Sequence, residues 1–145
     1  MAKFFVMLVD DEVPFVETMT KRLEKRDIRV ISAHSGEESL ERLSKNRNLD
    51  VVILDVKMPG MDGIETLKEI KKHYPLLEVV MLTGHATVET AIQGMKQGAY
   101  DYLMKPCEIE DLLRKVEEAT QKKRDHEEKI KEARVKEALS THGLA

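Results

Sequence analysis

A single cysteine, Cys107, stands among the 145 residues. No disulfide can form within the chain, and that usage fits a reducing cytosol. Long apolar runs are also missing. No stretch approaches the roughly 18 apolar residues of a membrane-spanning helix. The first run, Phe4 to Val9, is too short for a secretory signal and acids follow it at once. Nor is there an excess of positive charge: 24 Lys and Arg against 27 Asp and Glu leave a formal net charge of −3. That balance argues against a general binder of nucleic acid or anionic membranes. No glycine-rich loop follows the first apolar run, which disfavours a dinucleotide-binding fold. Internal repeats and low-complexity tracts are absent too. What is left is a cytoplasmic domain, 41% hydrophobic and 35% charged, long enough to bury a real core.

What is present alternates. Phe4 to Val9 reads as a buried strand that stops at Asp10-Asp11-Glu12, and Pro14 suits the first turn of a helix with Val16, Met19, Thr20 and Leu23 on one face. Ile28 to Ala33 is a second strand. Ser35 and Glu38 have capping-box spacing before a helix that buries Leu40 and Leu43. Val51 to Leu54 is a third strand, closed by Asp55 and a Met-Pro-Gly-Met turn. Asp62 and Glu65 open a helix with Ile64, Leu67 and Ile70 inward, ended by Tyr74-Pro75. Glu78 to Leu82 leads into Thr83-Gly84-His85, and Thr87 caps a helix in which Val88, Ala91, Ile92 and Met95 share a face. Gly98 fits the position just past its end. Tyr100 to Met104 is the fifth strand, before Lys105-Pro106 and a helix with Ile109, Leu112, Leu113 and Val116 inward. Five strand–helix alternations with short connections predict an α/β fold, a five-stranded parallel sheet covered on both faces.

After residue 119 the composition changes. Twelve of the seventeen residues from Gln121 to Glu137 are charged, with Glu-to-Lys pairs at helical spacing such as Glu127–Lys131. The division expected is a core domain over 1–119, a charged helical extension or linker over 120–139, and a disordered tail over 140–145. A coiled coil competes with the linker reading, but Thr120 and Lys123 would fall in its core positions.

The chemistry gathers at the strand ends. A parallel sheet aligns them on one edge, so Asp10, Asp11, Asp55, Thr83 and Lys105 converge. Any one of these acids alone is an ordinary turn or cap residue; five such groups at the ends of four strands are not. Three carboxylates repel unless a cation intervenes, and hard oxygens suit Mg²⁺ or Mn²⁺. Lys105 adds an ammonium and Thr83 a hydroxyl. Those are the parts of phosphoryl transfer, and Asp55, on the central strand end, is the natural nucleophile.

These motifs resemble the receiver domain of bacterial two-component response regulators, most closely receivers of the NtrC type. The resemblance rests on Leu8-Val9-Asp10-Asp11-Glu12, on Asp55 through Gly63, on Met81-Leu82-Thr83-Gly84-His85-Ala86 and on Gly98 through Pro106. It implies a doubly wound, flavodoxin-like sheet of order 2-1-3-4-5 and a module that is not an enzyme beyond its own phosphorylation and dephosphorylation. By the same resemblance Asp55 is the phosphoacceptor for a sensor histidine kinase. Asp11, Asp55 and the Lys57 backbone carbonyl hold Mg²⁺, with Asp10 acting through a water. Lys105 and Thr83 contact the phosphoryl group, Lys105–Pro106 is cis, and Tyr102 swings inward behind Thr83. The surface expected to switch is the fourth helix, fifth strand and fifth helix, Thr87 to Val116. A homodimer is expected through that surface or through the C-terminal helix, without direct contact to nucleic acid or membrane. Lys57 and His85 stand where receivers tune phosphoryl lifetime; His85 either positions water or packs. His34, His73, His126 and His142 lack metal-ligand spacing and read as surface residues, and Cys107 as a passive helix-start residue. NtrC-type receivers usually precede an ATPase and a DNA-binding module, so the chain is either a stand-alone receiver or the front of a longer regulator.

Two other classes compete. A phosphatase of the haloacid dehalogenase type would use Asp10 and Glu12, but the Asp10–Asp11 pair and the lack of a substrate-cap insertion oppose it. An unphosphorylated interaction domain would have lost part of the constellation, and none is lost.

Overall fold

The computed structural model describes residues 3–141. Strands and helices alternate as β1 (Phe4–Val9), α1 (Val13–Glu24), β2 (Ile28–Ala33), α2 (Gly36–Lys45), β3 (Val51–Leu54), α3 (Gly63–His73), β4 (Glu78–Thr83), α4 (Val88–Lys96), β5 (Asp101–Met104) and α5 (Ile109–Thr141). All pairings are parallel and the sheet order is β2-β1-β3-β4-β5. The expected fold class and strand order are both found.

Strand residues divide by parity, as a two-sided sheet requires. Met7, Val9, Val52, Leu54, Val79 and Met81 pack with Leu43 of α2 and Leu67 and Ile70 of α3. Val6, Leu8, Val51, Ile53, Val80 and Leu82 pack with Val16, Met19 and Leu23 of α1 and Leu112 and Val116 of α5. Helix ends form where the short polar side chains sit. Ser35 accepts from the Glu38 amide, Asp62 from the Glu65 amide and Thr87 from the Thr90 amide. Gly98, at φ +101°, ends α4.

Three readings shift. Tyr100 lies before β5; its amide donates to the Val79 carbonyl and its hydroxyl donates to Glu118. The apolar face of α4 is turned mostly to solvent, with Ala91 half-buried. Val88, Ile92 and Met95 are exposed, because α4 lays Gly94 and Thr90 against Tyr102 instead. The C-terminal helix is continuous with α5 and still touches the domain past residue 119: Thr120 is buried, Lys122 pairs with Glu78, and Arg124 pairs with Asp50. Ser140 and Thr141, expected to lie in a disordered tail, close this helix, while residues 142–145 lie outside the described ones.

Glu78 sits at the amino edge of the sheet, 2% exposed. It receives Lys71 of α3 and Lys122 of α5, each at 3.1 Å, and so ties both faces together. Removing one member of a buried ionic group strands its partners, though both lysines can turn toward water here. Glu78→Ala is expected to lower unfolding stability by about 2 kcal/mol in urea titrations. Lys122→Ala, with its half-exposed ammonium, should cost less than about 1 kcal/mol.

Candidate functional site

The sheet register assembles the site. Val9 lies opposite Leu54, so Asp10 and Asp55 leave neighbouring strands side by side. The Asp55 amide donates to the Val9 carbonyl at 2.9 Å, and the Asp10 amide to the Ala33 carbonyl at 3.0 Å. At the next two strands Thr83 lies opposite Met104, and the Lys105 amide donates to the Thr83 carbonyl at 2.9 Å. The Lys105–Pro106 bond is cis.

Asp10, Asp11 and Asp55 each offer a carboxylate oxygen, and the three oxygens lie within 4.8 Å of one another. Asp11 is exposed, whereas Asp10 and Asp55 are buried. Asp55 Oδ1 accepts from the Val56 amide at 2.9 Å. Its Oδ2 is buried and has no hydrogen-bond partner. A buried carboxylate oxygen left unpaired is costly, so the arrangement calls for a positive ligand. Three clustered carboxylates, one of which keeps an unpaired buried oxygen, are a donor set that fits a divalent cation.

Lys105 supplies the nearest positive charge. Its Nζ donates to Asp10 Oδ2 at 2.5 Å, lies 3.6 Å from Glu12 and sits 4.0 Å from the centre of the Phe15 ring. Asp10 Oδ1 accepts from the Glu12 amide at 2.9 Å. Burial pushes the Asp10 carboxyl above its ordinary pKa, and the charge of Asp55 adds to the push. Lys105 and the Glu12 amide work against both. For Lys105 burial opposes the charge, but Asp10, then Asp55 and Glu12, outweigh it and hold the ammonium above the usual lysine pKa.

The remaining expected residues form a second ring. Thr83 is fully buried and its hydroxyl accepts from the His85 amide at 3.0 Å. The Tyr102 hydroxyl lies 2.9 Å from Thr90 Oγ1, with the ring beside Gly94. Lys57 and His85 are exposed at the rim. His34 is half-buried rather than superficial, its Nδ1 3.2 Å from the Asp10 carbonyl oxygen. His73 pairs with Glu69 on the surface and His126 is exposed, whereas His142 lies outside the described residues. Cys107 is half-buried at the start of α5, and burial, with Asp111 nearby, raises its thiol pKa.

Three contributors escape a reading of the strand ends: Glu12 and Phe15, which hold Lys105, and Gly63. The Gly63 amide donates to the Val56 carbonyl at 2.6 Å. A Cβ at Gly63 would run into the Asp55 carbonyl oxygen and the Val56 backbone. Only glycine lets α3 start this close to the acidic strand end. Its place directly after a helix-capping Asp was the available signal.

A family model described as the response regulator receiver domain matches residues 6–117. The transcriptional regulatory protein ZraR of Escherichia coli O157:H7 is 39% identical over 114 residues, 79% of this chain and 26% of that protein. The DNA-binding transcriptional regulator NtrC of Escherichia coli K12 is 35% identical over 119 residues, 82% of this chain and 25% of that one. The chain thus spans about a quarter of the length of these relatives. Among solved structures, a response regulator receiver domain protein from Clostridium thermocellum superposes with a TM-score of 0.80 at 37% identity, over 86% of this chain and 98% of that one. The receiver domain of NtrX from Brucella abortus gives 0.74 at 33%, over 80% and 98%.

Asp55→Asn removes a buried charge from a crowd of three carboxylates. Without divalent cations it is expected to raise unfolding stability by about 1 kcal/mol. Mg²⁺ at roughly 100 times its dissociation constant should stabilise the unsubstituted protein by about 2.7 kcal/mol, and the variant much less; urea unfolding with and without Mg²⁺ reads both. Protons compete with a cation for Asp10. Because its pKa is raised, Asp10 keeps its proton to a higher pH than an ordinary aspartate. Mg²⁺ affinity, followed by calorimetry, should therefore begin to fall at a correspondingly higher pH as the solution is acidified.

Proposed function

Because this chain belongs to the family of response regulator receiver domains, we propose that Asp55 is its phosphoacceptor. The observation that carries this reading is the buried, unpartnered Oδ2 of Asp55 beside two further carboxylates and within the field of Lys105. Receiver domains of this family take phosphoryl groups from sensor kinases. Asp55 Oδ2 attacks the phosphorus of a phosphohistidine, the P–O bond forms as the P–N bond breaks, and the imidazole leaves with the electron pair.

Asp11, Asp55 and the Lys57 backbone carbonyl would hold Mg²⁺, with Asp10 bridging through a water; when bound, it supplies the positive charge that offsets the phosphoryl oxygens. Lys105, now on Asp10, shifts to a phosphoryl oxygen. The Thr83 hydroxyl, now accepting from His85, turns to donate to another. That movement vacates space behind Thr83 for Tyr102, whose hydroxyl gives up Thr90. Thr83 gains its bond in one arrangement only, so phosphorylation biases a two-state element. Couplings of this kind run to about 1–3 kcal/mol.

The exposed apolar stripe Val88, Ile92 and Met95 on α4, with Met104 at the end of β5, supports the α4–β5–α5 face as the surface that changes. A second copy of the chain would dock there or along α5. The module itself works without touching nucleic acid or membrane, and no helix among the described residues is long and apolar enough to cross a membrane. The NtrC relative, a DNA-binding transcriptional regulator, is about four times as long as the matched segment.

Incubation with Mg²⁺ and acetyl phosphate should add the mass of one phosphoryl group, labile to alkali, and Asp55→Asn should take up none; an adduct on that variant would remove Asp55 from the role. Lys57, exposed two residues after the acceptor, shields the acyl phosphate from water. Lys57→Ala should lose the group several-fold faster by intact mass. An unchanged decay would discard the shielding role.

A further inference from the structure

The loop between β3 and α3 carries Lys57, yet little holds it in place. Its beginning is fixed by the buried side chains of Val56 and Met58, and its end by the Gly63 amide on the Val56 carbonyl. Between them Pro59 and Gly60 are exposed. Among the described residues, one side chain from another element hydrogen-bonds to positions 57–61. Glu37, in the first turn of α2, accepts from the Met61 amide through Oε1 at 2.9 Å.

The surroundings are shaped to this contact from both sides. Gly60 takes φ +74°, and a Cβ there would come within 3.0 Å of Glu37 Oε1. Gly36 is buried against the loop from the α2 side. A Cβ there would strike the Thr66 hydroxyl and come within 3.0 Å of the Met61 carbonyl oxygen. Thr66 in turn donates to the Asp62 carbonyl at 2.7 Å. Two glycines on two elements thus allow the backbones to approach until the Glu37 carboxylate meets the Met61 amide. Among the described residues no Lys or Arg forms an ion pair with Glu37, so no cation competes with the Met61 amide for its carboxylate. The Met61 amide, together with the residue's own amide, holds its carboxyl below the ordinary glutamate pKa. An ionised acceptor makes the stronger hydrogen bond.

We infer that Glu37 is a positioning residue for the phosphoryl site: by holding the Met61 amide it fixes the loop that carries Lys57, and so sets how long the phosphoryl group stays on Asp55. The inference rests on Asp55 being the phosphoacceptor. Loss of the group requires water to attack phosphorus. The P–O bond to Asp55 then breaks, the carboxylate is restored, and inorganic phosphate leaves. Lys57 can cover that approach only if its loop is held, and its backbone carbonyl can serve the cation only from the same placement. A competing role for Glu37 is to complement the positive end of the α2 dipole; that role needs its charge, whereas the clamp needs an acceptor atom at this reach.

The full chain and its Glu37→Ala, Glu37→Gln and Glu37→Asp variants are phosphorylated with Mg²⁺ and acetyl phosphate, freed of excess reagent, and followed by intact mass. Urea midpoints are recorded alongside. Glu37→Ala is expected to shorten the phosphoryl half-life several-fold, by no more than Lys57→Ala does, because it acts through the same loop. Glu37→Gln keeps an acceptor oxygen at the same reach without the charge, and should decay more slowly than Glu37→Ala, between it and the unsubstituted protein. Glu37→Asp keeps the charge but withdraws the oxygen by one methylene, and should follow Glu37→Ala. Unchanged decay in Glu37→Ala, or Glu37→Gln decaying as fast as Glu37→Ala, overturns the clamp while the receiver reading stands. An unsubstituted protein that takes no phosphoryl group on Asp55 overturns that reading, and the clamp with it.

Discussion

Three carboxylates held within 4.8 Å of each other are the constraint from which the rest of this molecule follows. Coulomb repulsion and lost hydration both act against the cluster, most strongly at buried Asp10 and Asp55. Lys105 offsets part of that cost from the end of β5, two places from β3 and three from β1, and Phe15 and Glu12 keep the ammonium where it is needed. The unpaired Oδ2 of Asp55 is the part left over. A site with one unmet electrostatic demand is ready for a cation and a phosphoryl group, and its charge changes when they arrive.

The core supplies the rigidity this crowding needs. Parallel strands buried on both faces fix the register at Val9 and Leu54, and with it the separation of Asp10 and Asp55. The closure at Gly63 leaves no slack behind Asp55. Thr83 is bonded by a loop amide and Tyr102 by a helix-cap hydroxyl. Thr90 belongs to the α4 capping box, so the aromatic ring and the start of α4 share one hydrogen-bonded group.

Much of this was legible from residue order. Continuous apolar runs ending in Asp10 and Asp55 announce buried parallel strands with ligands at their ends, and the alternation of elements leaves few topologies open. The contacts around Lys105 were less visible, since nothing local links Phe15 to a lysine ninety positions later. The α4 stripe misleads for a physical reason. Helical periodicity reports that Val88, Ile92 and Met95 share a face, not whether that face meets the core or a partner. His34 is less exposed than a surface reading implies, because the Asp10 carbonyl lies beside its ring. Glu37 gave no signal in the sequence, as one acid among several in an acidic helix start. Only the fold brings it to Met61.

Helix α5 runs unbroken from Ile109 to Thr141 and makes its last ion pair with the domain at Arg124. The 17 residues beyond are solvent-exposed, a rod about 25 Å long at 1.5 Å per residue. Its root lies in the core through Leu112, Val116 and Ala119. No glycine or proline interrupts it, so it has no built-in hinge at which a tilt could dissipate. A tilt of roughly 10° at the root would carry the tip about 4 Å. On a straight lever of this length, any change of angle at the root reaches the tip enlarged in proportion to the distance.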